Sequence, residues 1–477
     1  MDVQNRQFIN GSFVSSDSSE TDVVYNPANN KKIGTIARGN EEDVYEAVAG
    51  AAKAQKKWAQ VNRIKRAELV LQLANLISQN KNELAKIYQD EQGKVWAAAL
   101  GEIEKSIGYI KYMASLAQSD IGEVLQNEVE NETIMLVKKP IGVTAGIIPW
   151  NAPILILMRK LIPALITGCS VIVKPSSETP FGTLKIAELL QQTDIPAGLV
   201  QVVTGSGAQV GGLLAKNKNV DLISITGSTS AGKAVMKAAA ANVKKVNLEL
   251  GGNAPAIVTS NADLDKAVKY IVTARINNSG QVCTCPERVY VQENVSEEFI
   301  QKLVKAMKKI VAGDPKSAKT DMGPIINQKQ LKAIDEKVKK ASSEGAEVLT
   351  GGHIIDRPGN YYEPTVVTGV SEGSSIMHDE IFGPVLPVAT FKTLTEVVNK
   401  ANNSPYGLSS YAFTENLKEA MELSNRLKFG EVYVNCEAEE AITGFHAGWR
   451  QSGLGGADGK HGFDEYLNTT VAYLRYE

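Results

Sequence analysis

The stretch Val143–Pro175, VTAGIIPWNAPILILMRKLIPALITGCSVIVKP, decides the fold. A β-branched run (Val143 to Ile148) leads into a proline turn, an apolar helical stretch runs from Pro153 to Ile166, and a second β-branched run follows from Ser170 to Lys174. Two such runs joined by a helix are the repeating unit of a parallel sheet covered by helices. Within the window from Ala152 to Val173, Arg159, Lys160 and two prolines make a lipid span costly, so the window reads as buried helix and strand.

Outward from this unit the rhythm repeats. Strands are predicted at Val200 to Val203, Asp221 to Ile225 and Lys245 to Glu249, with helices at Pro180 to Gln192, Gln209 to Lys216 and Ser228 to Ala241. That is a doubly wound α/β unit. A second alternating series follows Gly252, with helices at Ala262 to Ala274, Glu297 to Val311 and Gln328 to Ser342, and strands at Arg288 to Val291, Val385 to Phe391 and Glu431 to Asn435. Upstream, Glu41 to Gln118 carries apolar residues at three- and four-residue spacing, as in AVAGAAKAQKKW and LVLQLANLISQ, and reads as a helical lead-in. A strand-like run from Thr470 to Tyr476 would be an exposed edge unless another strand or subunit paired it, which predicts association with further copies of the chain. Gly251-Gly252 and Gly455-Gly456 are the expected hinges or linkers.

A chain of 477 residues with 43% hydrophobic content has material for two or three domains. A formal charge of −2 gives no broad electrostatic reason to bind nucleic acid or an anionic membrane. The N-terminal MDVQNRQFING lacks a basic-then-apolar secretory order, and four cysteines are too few for a disulfide framework, so a cytoplasmic protein is expected. Cys283 and Cys285 have no second CxxC or HxxxH partner, so no metal site is predicted.

Two residue types at opposite ends of short motifs carry the chemistry. Cys283 in NSGQVC is preceded by Gly280-Gln281, and glycine there lets backbone approach a ligand closely. Glu249 in ELGGN ends a predicted strand at the carboxyl edge of a parallel sheet, where ligands bind. A thiol able to attack a carbonyl and a carboxylate able to activate water suffice to make and hydrolyse a thioester.

With PWNAP (Pro149 to Pro153), KPSSETP (Lys174 to Pro180), TGSTSAG (Thr226 to Gly232), ELGG (Glu249 to Gly252), GQVC (Gly280 to Cys283) and EIFGPV (Glu380 to Val385) in this order, the chain resembles the NAD(P)-dependent aldehyde dehydrogenases over nearly its whole length. The resemblance implies an α/β fold of two doubly wound parallel-sheet domains with a small β oligomerisation element. It places the dinucleotide-binding domain at 1–120 and 141–251, the catalytic domain at 252–450, and the oligomerisation element at 121–140 and 467–477. It implies Cys283 as nucleophile, Glu249 as base for hydrolysis and Asn151 as oxyanion donor, Asn151 also being readable as a helix cap before Pro153.

For an NAD or NADP cofactor the resemblance implies Pro149, Trp150, Lys174, Ser177, Thr226, Gly227, Ser228, Glu380 and Phe382, with the phosphates at the helix opening of Gly227-Ser228. Relatives that prefer NAD often carry glutamate at the position of Ser177, so acceptance of NADP is expected, with neighbouring Glu178 as the residue able to restore an acidic partner. The stretch Gly444 to Gly462, GFHAGWRQSGLGGADGKHG, resembles the lactaldehyde and glycolaldehyde dehydrogenase branch and implies a small 2-hydroxyaldehyde substrate. Arg159, Thr284 and His446 are its candidate contacts, with an ion pair, loop packing and a plain loop histidine as the alternatives. Succinate-semialdehyde and non-phosphorylating glyceraldehyde-3-phosphate oxidation are the rival reactions, and a catalytically silent dinucleotide-binding protein is the rival of another class. A homo-oligomer, dimer or tetramer, completes the expectation.

Overall fold

The computed structural model describes residues 5–16, 18–119 and 122–476, so Met1 to Gln4, Asp17, Asp120, Ile121 and Glu477 of the expected segments fall outside the described residues. Two helix-covered sheets carry the fold, as expected for an α/β chain. The first has eight strands in the order Gly453–Leu454, Lys245–Glu249, Leu222–Thr226, Val143–Ile147, Ser170–Lys174, Val200–Val202, Arg6–Ile9, Ser12–Ser15. Its five central strands are parallel. Strand order reverses between Val143–Ile147 and Leu222–Thr226, where Ile147 registers with Ile225, and this reversal opens a crevice at the carboxyl ends of the strands. The strand ends Ile147, Lys174, Thr226 and Glu249 therefore share one edge.

The second sheet orders Glu347–Thr350, Thr365–Thr368, Val385–Phe391, Pro286–Gln292, Ala254–Val258, Ser409–Phe413 and Glu431–Val434, parallel except for its first pair. Ala254–Val258, immediately after the Gly251-Gly252 crossing, brings the chain from the first sheet into the centre of the second. Separate apolar clusters cover the two faces of each sheet, so each sheet is buried on both sides.

The lead-in is helical as expected, in four helices: Glu41–Trp58, Arg63–Gln79, Lys81–Gln92 and Trp96–Ser115. The third sheet joins Leu467–Arg475 antiparallel to Glu132–Pro140 along nine residue pairs, and Gly122–Gln126 flanks it. The terminal strand is thus paired within its own chain on one side, and its other side is an edge.

Neither glycine pair is a slack linker. A Cβ on Gly252 would lie 2.5 Å from the Cys283 carbonyl oxygen, so glycine there lets two backbone segments touch, and one on Gly251 would lie 2.6 Å from Glu380 Oε2, so glycine there leaves room for that carboxylate. The Gly456 carbonyl accepts from Asn247 Nδ2 at 2.8 Å, which fixes the second pair to the Lys245–Glu249 strand. The expected helix from Gln209 opens earlier as a wide turn at Gly207–Gly211, capped by Ser206 on the Gln209 amide. Asp221, expected in a strand, precedes it and accepts the Val143 amide at 2.8 Å.

Candidate functional site

Cys283 is presented by a backbone that few sequences adopt. Asn278, Ser279 and Gly280 have φ of +49°, +59° and +72°, and left-handed conformations at non-glycine residues cost about 1–3 kcal/mol each. The surroundings hold this geometry. Gln92 Nε2 donates to Asn278 Oδ1 at 2.6 Å, Ser279 Oγ to the Gly323 carbonyl at 2.8 Å, and the Ile326 amide to Gln281 Oε1 at 2.9 Å. A Cβ on Gly280 would sit 2.2 Å from the Gly383 carbonyl oxygen, so this position also accepts only glycine.

Asn151 is interlocked with the same turn. Its Nδ2 donates to the Gln281 carbonyl at 3.0 Å, while its own carbonyl accepts from Asn278 Nδ2 and Lys94 Nζ, each at 3.1 Å. Asn151 does not cap the following helix, because the cap position of Pro153–Thr167 is Ala152, whose methyl group cannot accept an amide. Glu102 satisfies that helix end from another helix, accepting the amides of Ile154 at 3.2 Å and Leu155 at 3.1 Å, while its second oxygen pairs with Lys94 at 2.7 Å. A buried carboxylate at a helix N-terminus satisfies orphan amides and meets the positive end of the dipole.

Glu249 ends its strand at the shared edge, 3% exposed. One oxygen is ion-paired with Lys160 Nζ and the other accepts Thr226 Oγ1 at 3.2 Å. Burial pushes this carboxyl up, but Lys160 and Arg159 overcome it and hold Glu249 below the ordinary 4.5. Burial pushes the Cys283 thiol up, and nearby His446 offsets this only in part.

Two cavities meet at Cys283, Asn151 and Thr226, which line both. The first runs along the crevice past Trp150, Gly227, Ser228, Lys337, Glu380 and Phe382. Glu380 Oε1 accepts the Gly252 amide at 2.8 Å, and burial raises its carboxyl to about 7. Glu287 clamps the segment that follows, accepting the amides of Ile381 at 2.7 Å and Phe382 at 3.1 Å, where Phe382 takes φ +53° and meets Trp150 edge-on at 5.4 Å. Ser228 caps the Thr229–Ala239 helix, whose first-turn amides adjoin this groove; the Gly227 amide is not free for a ligand, because it donates to the Glu249 carbonyl at 3.0 Å.

Lys174 and Ser177 lie beyond that lining. Lys174 is 4% exposed, makes no ion pair among the described residues, and is lowered by burial to about 8. Ser177 Oγ donates to the Gly205 carbonyl at 3.1 Å, and Glu178 Oε1 is taken by Asn327 Nδ2 at 2.8 Å. An unpaired buried ammonium, a helix N-terminus and a carboxylate-bearing groove at the sheet reversal fit an anionic dinucleotide.

The second cavity is lined by Lys94, Glu102, Lys105, Arg159, Thr284 and Glu440 among others. Arg159, 2% exposed, is bidentate to Asp458 and also donates to Glu440 Oε2 at 3.1 Å. Thr284 Oγ1 donates to the other Glu440 oxygen at 2.7 Å. Both expected contacts therefore face the cavity already bonded. His446 is absent from the lining of either cavity; it is 3% exposed and its Nδ1 pairs with Glu431 at 3.1 Å.

Sequence reasoning missed Glu440, whose φ is +45°, and the partners Lys160 and Asp458. Lys160 had a signal: it is one of two adjacent charges on a helix in which every residue is buried. Glu440 sits in the acidic run EAEE, which reads as a solvated loop. Among the described residues no group of ligands suited to a metal ion occurs, and no helix is long and apolar enough to cross a membrane.

Residues 13–472 match the Aldehyde dehydrogenase family. The chain is 44% identical to a lactaldehyde dehydrogenase of Escherichia coli (strain K12), over 99% of each chain. It is 36% identical to a D-glyceraldehyde dehydrogenase (NADP(+)) of Picrophilus torridus, over 98% of this chain and 96% of that one. The crystal structure of the lactaldehyde dehydrogenase from Escherichia coli superposes with a TM-score of 0.98 at 44% identity, covering 99% of each chain.

Proposed function

The chain belongs to the aldehyde dehydrogenase family, and from that premise we propose that it oxidises a small, uncharged 2-hydroxyaldehyde such as lactaldehyde, glycolaldehyde or glyceraldehyde to its carboxylate. The observation that carries the substrate is the charge balance of the second cavity. Lys94 is matched by Glu102, Arg159 by Asp458 and Glu440, and half-buried Lys105 donates to the Glu439 carbonyl at 2.7 Å. Glu440 is held as a carboxylate by His446, Arg159 and Lys105 against its burial. A semialdehyde carboxylate or a phosphate would meet this fixed anion, whereas hydroxyl groups find acceptors and donors. Arg159 and Thr284 are the proposed wall of the pocket, and His446, paired with Glu431, is proposed to stand behind that wall.

In the proposed reaction the Cys283 sulfur attacks the aldehyde carbon, and the Asn151 amide with the Cys283 backbone amide receives the developing oxyanion, an interaction worth about 3–4 kcal/mol in acyl-transfer sites. The nicotinamide cofactor, when bound, supplies the hydride acceptor. Glu249 turns from Lys160 toward the thioester and takes a proton from water, and C–S cleavage releases the acid.

The groove residues Pro149, Trp150, Thr226, Gly227, Ser228, Glu380 and Phe382 are the proposed cofactor contacts. Acceptance of NADP is supported by Lys174 lacking a carboxylate partner, by serine at 177, and by Glu178 being turned to Asn327. The division into dinucleotide-binding residues 1–120 and 141–251, catalytic residues 252–450, and an association element 121–140 with 467–477 belongs to the same reading, although Gly453–Leu454 returns to the first sheet. The outer edge of Leu467–Arg475 exposes Val471 and Tyr473 and supports a homo-oligomer, dimer or tetramer. Free cysteines throughout the chain agree with a cytoplasmic enzyme.

Initial rates with lactaldehyde, glycolaldehyde, glyceraldehyde, glyceraldehyde 3-phosphate and succinic semialdehyde, each with both cofactors, test this. The three uncharged hydroxyaldehydes are expected to have the highest kcat/KM. A preference for either anionic aldehyde overturns the substrate assignment.

A further inference from the structure

Two segments meet beside Cys283, the loop that carries it and the segment 380–382 that walls the cofactor groove, and one buried ion pair bonds to both. Arg275 stands near the end of the helix Leu264–Ile276, ahead of the loop, and Glu287 near the start of the strand Pro286–Gln292, behind it. Both are fully buried and paired at 2.8 Å, a clasp across the base of the Cys283 loop. Arg275 reaches back into that loop: its Nη1 donates to Cys285 Sγ and to the Pro286 carbonyl, each at 3.0 Å, and the Cys285 thiol donates to the Gly280 carbonyl at 3.5 Å. Glu287 reaches the other way, Oε2 accepting the Ile381 amide at 2.7 Å and Oε1 the Phe382 amide at 3.1 Å.

The segment is gripped on its carbonyl side as well. From the helix Gln328–Ser343, Gln330 Nε2 donates to the Ile381 carbonyl at 3.3 Å and the Phe382 carbonyl at 3.1 Å, and Lys337 Nζ donates to the Glu380 carbonyl. Phe382 needs this grip, because its φ of +53° persists only where the surroundings impose it. Of the groups that hold the segment, the Glu287 carboxylate is the one that also bonds to the clasp of the Cys283 loop.

Glu380 and Phe382 line the groove that Cys283 also lines, whereas Lys174 and Ser177 lie beyond it. Hydride leaves a carbon bonded to the sulfur, so the half of the dinucleotide beside Cys283 is the nicotinamide half. We propose that Arg275 and Glu287 are positioning residues that hold the segment 380–382 in register with the Cys283 loop, so that a seated nicotinamide faces the sulfur adduct. This rests on the reading of Cys283 as the nucleophile and of Glu380 and Phe382 as cofactor contacts.

The make-up of the pair favours positioning over plain stability. A buried ion pair is often replaceable by apolar residues without loss of stability, so its use here points to a fixed geometry. Arg275 Nε and Nη2 have no hydrogen-bond partner among the described residues, a cost that packing for stability alone would avoid. Burial disfavours the guanidinium charge, and Glu287 with Cys285 outweighs it. Burial also pushes Cys285 up to about 12, which keeps it a neutral thiol able to donate to Gly280 while it accepts from Arg275.

The test first separates the two ends of the cofactor without turnover. Calorimetry gives dissociation constants for each dinucleotide and its fragment lacking the nicotinamide half, NAD against ADP and NADP against 2′-phospho-ADP, on wild type, Glu287→Gln and Cys285→Ala. Glu287→Gln is expected to weaken the dinucleotide about tenfold and leave the fragment unchanged, whereas misfolding alone changes the stoichiometry and neither constant. Single turnovers of lactaldehyde, with enzyme in excess and cofactor saturating, then read hydride transfer. The rate constant should fall about ten- to hundredfold in Glu287→Gln and roughly threefold or more in Cys285→Ala, each with a primary isotope effect from deuterium on the aldehyde carbon. Equal weakening of dinucleotide and fragment, a wild-type rate constant, or slowing without an isotope effect in Glu287→Gln overturns the coupling. If Glu287→Gln fails to fold, a wild-type rate constant or slowing without an isotope effect in Cys285→Ala overturns it. A wild type that reduces neither cofactor with any of the three hydroxyaldehydes overturns instead the reading beneath the proposal, and the coupling with it.

Discussion

Glu249 and Lys160 form a closed ion pair in the interior, and the carboxylate's second oxygen accepts the Thr226 hydroxyl at 3.2 Å. The proposed hydrolytic base is therefore charged and parked. It reaches water only by leaving the ammonium, which separates its work from the oxidation that precedes it.

Replacing Glu249 with Gln should leave a rapid burst of reduced cofactor of about one equivalent per active site while steady-state turnover falls by roughly 10²–10⁴-fold. Stopped-flow absorbance with lactaldehyde separates the two phases. Loss of the burst together with turnover would place Glu249 before the thioester instead of after it.

Lys160→Met should be worse for the fold than for the wild-type chemistry. It strands a buried carboxylate, a change that typically costs about 3–5 kcal/mol. In the wild type Glu249 is held below 4.5, so its contribution to stability is present above that value and lost only as pH falls through the lower folded-state value. In the variant the sign reverses: the carboxyl titrates higher, the protein gains stability as pH falls, and the acidic limb of the pH–rate profile moves up. Chemical denaturation and kcat across acidic pH check both shifts.

Glu102→Gln should lower stability by a similar ~3–5 kcal/mol, because Lys94 loses its buried partner at 2.7 Å. Lys94 also holds the Asn151 carbonyl, so kcat should fall more than KM rises. Urea titration and Michaelis curves on one preparation distinguish this from simple unfolding.

Ser177→Glu should cut kcat/KM for NADP by about two orders of magnitude with little change for NAD, since like charges brought together cost several kcal/mol. The wild type carries a companion pH signature. Lys174 is lowered to about 8, so its ammonium is present below that pH and lost above it, and KM for NADP should rise relative to KM for NAD as pH passes through that value. Parallel behaviour of the two cofactors would remove Lys174 from phosphate recognition.

Local rhythm makes much of this legible. Ser170–Lys174, Lys245–Glu249 and Val385–Phe391 are readable to the residue because each is a β-rich run with a turn signal or clear apolar boundary. Ala254–Val258 is not, because Pro255 argues against a central strand; the ladder accommodates it with a register shift between Ala254 and Pro255. Ser409–Phe413 opens on two serines and reads as loop, yet both are buried, with hydroxyls donating to the Thr284 and Glu431 carbonyls. The motif residues around Cys283 are locally visible. Arg159 with Asp458, Glu440 with Thr284, and His446 with Glu431 are not: no local spacing brings such positions together, and only the packed sheets do.

The closing segment of the chain threads all of these partners. His446 pairs with Glu431, Gly453 pairs with Glu249, Asp458 neutralises Arg159, and Leu467–Arg475 then crosses to Glu132–Pro140. A nascent polypeptide still missing this tail has its cysteine but none of these supports. Competence thus arrives only after residues 446–475 have been made, and a truncation ahead of His446 should behave as an inert precursor rather than a weakened enzyme.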